Sequence, residues 1–223
     1  ANVYMIQKGH DSKVTFRNGA VLDVSVGGAA NNLFGFYPCL ASDINNEIRY
    51  ESGTKVNCNT FQDCLNWAFG PGDETPAQNW NSKTVITGEG TEIKVAAYAY
   101  FSMYLGGVTT IIDDKAVVNC GSSIGFGNAL AAHNGTLIID NGAKLTGSGF
   151  TMGTTTRLME NMKLKIGDGA ELHVTGQFMS AGNGNSLEID NGTLKADGYY
   201  AFYFGHTDAN GSSSNYSLTL KGE

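Results

Sequence analysis

"TLIIDNGAKLTGSGF" occupies Thr136–Phe150, "KLKIGDGAELHVTGQF" follows at Lys163–Phe178, and "SLEIDNGTLKADGYY" at Ser186–Tyr200. The three are versions of one phrase. In each, apolar and polar residues alternate on both sides of an Asn-Gly or Asp-Gly pair. A period of two marks a strand, because successive side chains point to opposite faces. Asn-Gly and Asp-Gly accept positive φ and so mark a tight bend. The phrase therefore reads as two short strands meeting at a fixed corner.

The same phrase extends back towards the N-terminus. Its turn glycine recurs at Gly19 in "KVTFRNGAVLDV", Gly53 in "IRYESGTKVNC" and Gly90 in "VITGEGTEIKV", then at Gly142, Gly169 and Gly192, with Lys115 of "TIIDDKAVVNC" in the place between. Successive markers stand 34, 37, 25, 27, 27 and 23 residues apart. Before the corner the apolar places are Val14 and Phe16, Ile48 and Tyr50, Leu137 and Ile139, Leu164 and Ile166, Leu187 and Ile189. After it they are Leu22 and Val24, Val56 and Cys58, Ile93 and Val95, Val118 and Cys120, Leu172 and Val174. One such unit cannot bury its apolar face alone. Stacking copy on copy does so, in inward files at the strand spacing of about 4.8 Å. This predicts an all-β fold: a single-stranded parallel β-helix, or β-solenoid, of about seven coils forming one domain over residues 1–223.

A second shared element follows each corner, as "NLFGFYP", "AYAYFSMYLGG", "SSIGFGNAL", "GFTMGTTT", "QFMSAGNG" and "YYAFYFGH". It reads as the third strand of each coil, with a variable loop after it. The loops are longest in the N-terminal half, around "CLASDINNE" and "FGPGDETPAQNWNSK", which accounts for the two longest intervals.

The pattern L-x-I-x-x-G-A-x-L-x-V-x-G over Lys13–Glu223 resembles the right-handed parallel β-helix repeats of secreted bacterial proteins. Those are autotransporter-type passenger domains and adhesins and, more distantly, pectate-lyase-like enzymes. The resemblance implies a right-handed coil, a secreted or cell-surface location, and a structural or binding role in adhesion or scaffolding. Its more distant branch implies polysaccharide cleavage by a lyase or hydrolase.

Bulk composition bounds the partners. The 223-residue chain carries a formal net charge of −7 and no Lys/Arg cluster. Counterion release on phosphate needs such a cluster, so nucleic acid is excluded as a partner. No apolar run approaches the ~18 residues of a membrane span. The opening "ANVYMIQKGHD" lacks an initiator Met, which suggests a processed product or a piece of a longer chain. The last copy, "YSLTLKGE", is partial and leaves Leu218 and Leu220 towards an open end. Such an end either continues into more protein or stacks on another molecule, so end-to-end self-association into a filament or surface layer is an alternative.

The four cysteines stand at 39, 58, 64 and 120. Cys58 and Cys120 share a file two copies apart, roughly 9–10 Å, too far to bond, and read as small buried hydrophobes. Cys39 and Cys64 fall in the third-strand region of adjacent copies, where a stacked disulfide can form; a local Cys58–Cys64 bridge competes.

Chemistry has few places to sit. Asp113, Asp114, Asp140, Asp168 and Asp190 lie at or beside the corner of successive copies. Aligned on one edge they would offer oxygens to Ca²⁺, with Asp140, Asp168 and Asp190 as ligands. In a polysaccharide-cleaving β-helix, Asp113 and Asp114 would be the acid–base pair. Turns also demand Asp and Asn for their own sake. Polygalacturonase-type sites bring a His and a basic residue to their aspartates, whereas His10, His133, His173 and His206 occupy different places in the repeat. No cofactor other than Ca²⁺ is indicated. Aromatics offer more. Alternation sends Phe101 and Met103 to one face and Tyr98, Tyr100 and Tyr104 to the other; Tyr199 and Tyr203 likewise oppose Tyr200, Phe202 and Phe204. Phe101, Phe150, Phe178 and Phe202 are expected to form one internal stack. The tyrosine faces, with Trp67 and Trp80 as cover or rim, would suit a glycan or a surface protein.

Overall fold

The computed structural model describes residues 2–7, 9–24, 32–37, 45–64, 81–102, 107–127, 134–153, 159–199, 201–204 and 217–222. Each copy of the phrase supplies one strand to each of two sheets, and the shared element after it supplies a third. Sheet A holds Asn2–Gln7, Asn32–Tyr37, Thr60–Cys64, Ala99–Phe101, Ser123–Phe126, Gly149–Met152, Phe178–Ser180 and Phe202–Phe204. Sheet B holds Lys13–Phe16, Glu47–Tyr50, Lys83–Thr87, Thr109–Asp113, Thr136–Ile139, Lys163–Ile166, Ser186–Asp190 and Ser217–Lys221. Sheet C holds Val21–Asp23, Lys55–Cys58, Glu92–Val95, Val117–Cys120, Lys144–Gly147, Glu171–Val174 and Thr193–Ala196.

Neighbours within each sheet are parallel, as in Leu137 beside Leu164 and Leu145 beside Leu172. The chain visits A, B and C in turn and returns one level on: a parallel β-solenoid, with no helix among the described residues. It makes about six turns, slightly fewer than the seven expected. Asn2–Gln7, ahead of the recognised phrases, adds a sheet A strand that the repeat alone did not announce.

Inward files follow the expected residues closely. In sheet C one file runs Leu22, Val56, Ile93, Val118, Leu145, Leu172 and Leu194. In sheet B another runs Phe16, Tyr50, Ile86, Ile112, Ile139, Ile166, Ile189 and Leu220. Most of these side chains are fully buried. Each large one contributes about 1.5–3 kcal/mol over leaving it in water.

Three details depart from expectation. The internal aromatic file of sheet A contains Phe150, Phe178 and Phe202, with Phe150 stacked on Phe178 at 5.0 Å. Phe101 instead lies in the next file, level with Phe126 and Met152, because Ala99 takes the place aligned with Phe61. Gly192 does not repeat the turn position of Gly142 and Gly169: with Ile189 beside Ile166 and Thr193 beside Glu171, it falls level with Ala170. The last corner is thus one residue shorter. Finally, the file headed by Val14 and Ile48 passes through buried Thr84 and Thr110 before returning to leucine at Leu137.

Candidate functional site

Tyr98 and Tyr100 lie where sheet C gives way to sheet A. Their rings stack at 5.7 Å with an interplanar angle of 14°, and Tyr98 is 44% exposed. Tyr199 is 92% exposed and Tyr203 half-buried, but both belong to the far end of the stack. Tyr100 and Tyr203 share one outward file with Gly125, Thr151 and Met179 between them, a separation of roughly 19 Å at the usual strand spacing. The tyrosines therefore form two groups and not one row. Tyr104, Trp67 and Trp80 lie outside the described residues.

The corner aspartates divide between two files. Asp113 and Asp140 occupy successive levels of one, followed by Gly167 and then Asp190. Asp114 and Asp168 occupy the position after it, together with Asn141 and Asn191. One oxygen each of Asp113, Asp140 and Asp168 is engaged at the corners. Asp113 Oδ1 accepts from the Asp114 backbone N–H at 2.8 Å and from Asn141 Nδ2 at 2.7 Å. Asp140 Oδ1 accepts from the Asn141 N–H at 2.9 Å, and Asp168 Oδ1 from Asn191 Nδ2 at 3.3 Å. Lys115, beside Asp113 and Asp114 in sequence, makes its ion pair with Glu89 at 3.0 Å. Among the described residues, no group of three or more His, Cys, Asp or Glu side chains is placed to hold a metal ion.

Cys58 and Cys120 are buried free thiols in one inward file, separated by Val95. With Cys58 free, the local Cys58–Cys64 bridge is not formed. Cys39 lies outside the described residues, as does the Cys64 side chain. Burial, with Cys120 nearby, pushes the Cys58 thiol up to about 12, and burial raises Cys120 as well. Both stay protonated and serve as packing residues.

The outer face of sheet C carries a polar network that the repeat pattern did not reveal. Lys55 and Lys94 both reach Glu92, at 3.3 and 3.4 Å. Burial opposes ionisation of Glu92, but the two lysines outweigh it and hold the carboxyl below its ordinary value. Asn119 Nδ2 donates to Glu92 at 3.3 Å, and Thr146 Oγ1 donates to Asn119 at 2.9 Å. His173 Nε2 meets Asp197 at 2.8 Å, and this hydrogen bond, with Lys195, holds Asp197 low. The outward file Asn57, Lys94, Asn119, Thr146, His173 and Lys195 is thus polar at every level. Its signal lay in the sequence, at the position between the two inward places after each corner.

Two further polar placements were missed. Asp63 is fully buried, accepting from the Ser102 backbone N–H at 2.8 Å and Thr110 Oγ1 at 2.6 Å. Asn46 and Asn185, each just before a sheet B strand, make equivalent bridges: their Oδ1 atoms accept from the backbone N–H groups of Ser12 and Met162, both at 3.0 Å. Aligning the strand starts would have exposed the asparagine pair. Nothing local marks Asp63, whose partners are 39 and 47 residues away.

No helix among the described residues is long and apolar enough to cross a membrane. No protein-family model, curated protein or solved structure matches the chain.

Proposed function

We propose that this chain is a secreted or cell-surface structural and binding module, adhesin- or scaffold-like in the manner of autotransporter passengers. The carrying observation is the Tyr98–Tyr100 pair: two parallel rings, one well exposed, mounted on a frame whose side chains are locked in files. A flat aromatic platform suits the apolar face of a sugar ring or a partner protein, because it offers large area at little cost in side-chain freedom. The engagement of Asp113 Oδ1 by the Asp114 N–H and the Asn141 amide favours this reading over polysaccharide cleavage. A glycan array probed with the purified chain tests it. Hits that disappear in Tyr98→Ala/Tyr100→Ala, with the thermal midpoint unchanged, support it. Release of new reducing ends or unsaturated products from a polyuronide panel, lost in Asp113→Asn/Asp114→Asn, would replace it with the enzyme reading.

End-to-end self-association is a second reading, favoured by one observation. The outermost described strands expose residues of inward files: Phe202 at 43%, Leu218 at 44% and Leu220 at 69%. At the opposite end Val3, Val14, Phe16 and Leu22 are only partly buried. Sheet edges of this kind accept further strands.

A further inference from the structure

Outward files run along sheet B, and their chemistry differs from file to file. The first carries Lys83, Thr109, Thr136 and Lys163 on successive levels. The second, two residues on, carries Val85, Ile111 and Ile138, closed at its ends by Arg49 and Lys165. The third, at the corner, carries Thr87, Asp113, Asp140 and Gly167. An apolar strip is thus bordered by cations on one side and by carboxylates on the other.

Neither border is used up within the chain. Lys83 and Lys163 are exposed and make no ion pair among the described residues, whereas most other described lysines do. Asp113 and Asp140 each engage Oδ1 at the corner and keep Oδ2 free of partners among the described residues. Ile111 and Ile138 are half-buried, and Val85 is buried.

The order cation, apolar, carboxylate is self-complementary in one arrangement only. When two copies meet face to face about a twofold axis parallel to the stack, every level faces its own counterpart and the first file faces the third. Ile111 then meets Ile111, and Ile138 meets Ile138. Lys83 comes within one level, about 4.8 Å along the stack, of the second copy's Asp113, and Lys163 equally of its Asp140. The like charges that meet, Lys13 with Arg17 and Glu47 with Glu51, fall on adjacent levels and offset one another. Turning the second copy end for end sets Lys83 against Lys163 and Asp113 against Asp140, which opposes association.

We infer that the outer face of sheet B is a homodimer interface, two chains packed face to face and parallel, with Ile111 and Ile138 at its centre and Lys83–Asp113 and Lys163–Asp140 contacts at its borders. Eight strands of about five residues give each copy a face of roughly 34 by 17 Å. Two such faces bury roughly 1,150 Å², the range of transient complexes, so the dimer is weak and concentration-dependent. It uses neither the tyrosine pair nor the exposed coil ends, and it stands apart from both readings above.

Sedimentation velocity from about 1 µM to about 1 mM tests it. The expected result is a monomer–dimer equilibrium that saturates, unlike growth from the coil ends, and that Leu218→Lys/Leu220→Lys leaves intact. Ile111→Lys should raise the dissociation constant by about tenfold or more, because it puts a charge at the apolar centre. Lys163→Glu should raise it about fivefold by turning the Asp140 contact into a repulsion. Lys163 is exposed, so its variant decides the matter should Ile111→Lys misfold. Orientation is read with a short bis-maleimide in a Cys39→Ser/Cys64→Ser background. Thr15→Cys should cross-link to itself and not to a tagged Thr219→Cys chain, which it would face in the end-for-end arrangement. A monomer throughout, a dimer that both interface variants leave unchanged, or cross-linking of Thr15→Cys to Thr219→Cys overturns the inference. So does a chain that stays monomeric yet binds polyglutamate or a polyuronate through Lys163, which would give this face to an acidic partner.

Discussion

At the scale of single residues, the interior is maintained by like side chains in contact from coil to coil. Phe178 is fully buried against Phe150, and Phe178→Ala should cost about 3–5 kcal/mol, read as a lower urea midpoint at unchanged slope. The buried thiols make a different prediction. Cys58 is raised from an ordinary 9.0 to about 12, and Cys120 and Tyr50 are shifted in the same direction by burial. Between pH 9 and 12 the unfolded chain therefore releases protons that the folded chain retains. The stabilisation is complete below the unfolded value and lost as pH rises through the folded one. Urea denaturation from pH 8 upward should show falling stability, with a shallower fall in Cys58→Val/Cys120→Val. An equal fall in the variant would show that other groups govern the alkaline limb. Asp63→Ala should also destabilise, by about 1–3 kcal/mol, because it leaves the Ser102 N–H and the Thr110 hydroxyl without their buried acceptor.

At the scale of elements, the corner between sheets B and C sets the register. Asn141 and Gly142 have φ of +47° and +74°, and a Cβ on Gly142 would approach nothing closer than Lys115 at 3.5 Å. Gly142→Val should therefore cost only the backbone strain, about 1–2 kcal/mol, while Gly142→Asn should be nearly neutral. Paired thermal melts of the two variants check this; equal losses would mean that space, and not φ, limits the corner.

At the scale of the molecule, a solenoid is held together mainly by neighbour-to-neighbour contacts, so its central coils are the hardest to open. Amide exchange should be slowest around Ile93, Ile112, Val118 and Leu145, all fully buried, and fastest at Ser217–Lys221, which is exposed throughout. The exposed Leu218 and Leu220 carry the self-association reading to a direct measurement. Sedimentation velocity over a wide concentration range should reveal open-ended growth that Leu218→Lys/Leu220→Lys suppresses; a concentration-independent monomer removes that reading.

The sequence by itself determined the strands, the corners and most of the inward files, because alternation and turn chemistry are local properties of the chain. Leu145 beside Leu172 and Cys58 beside Val95 follow directly from them. Only the tertiary structure decided how copies align where corner lengths differ: Gly192 moved level with Ala170, and Phe101 entered a different file from Phe150. It also decided which outward residues meet, separating Tyr100 from Tyr203 and lining up Asn57, Lys94, Asn119, Thr146 and His173 in one polar file. The physical reason is that a strand's own pattern fixes which face a side chain takes, while its neighbours on that face come from other coils. Their levels are set by every intervening turn.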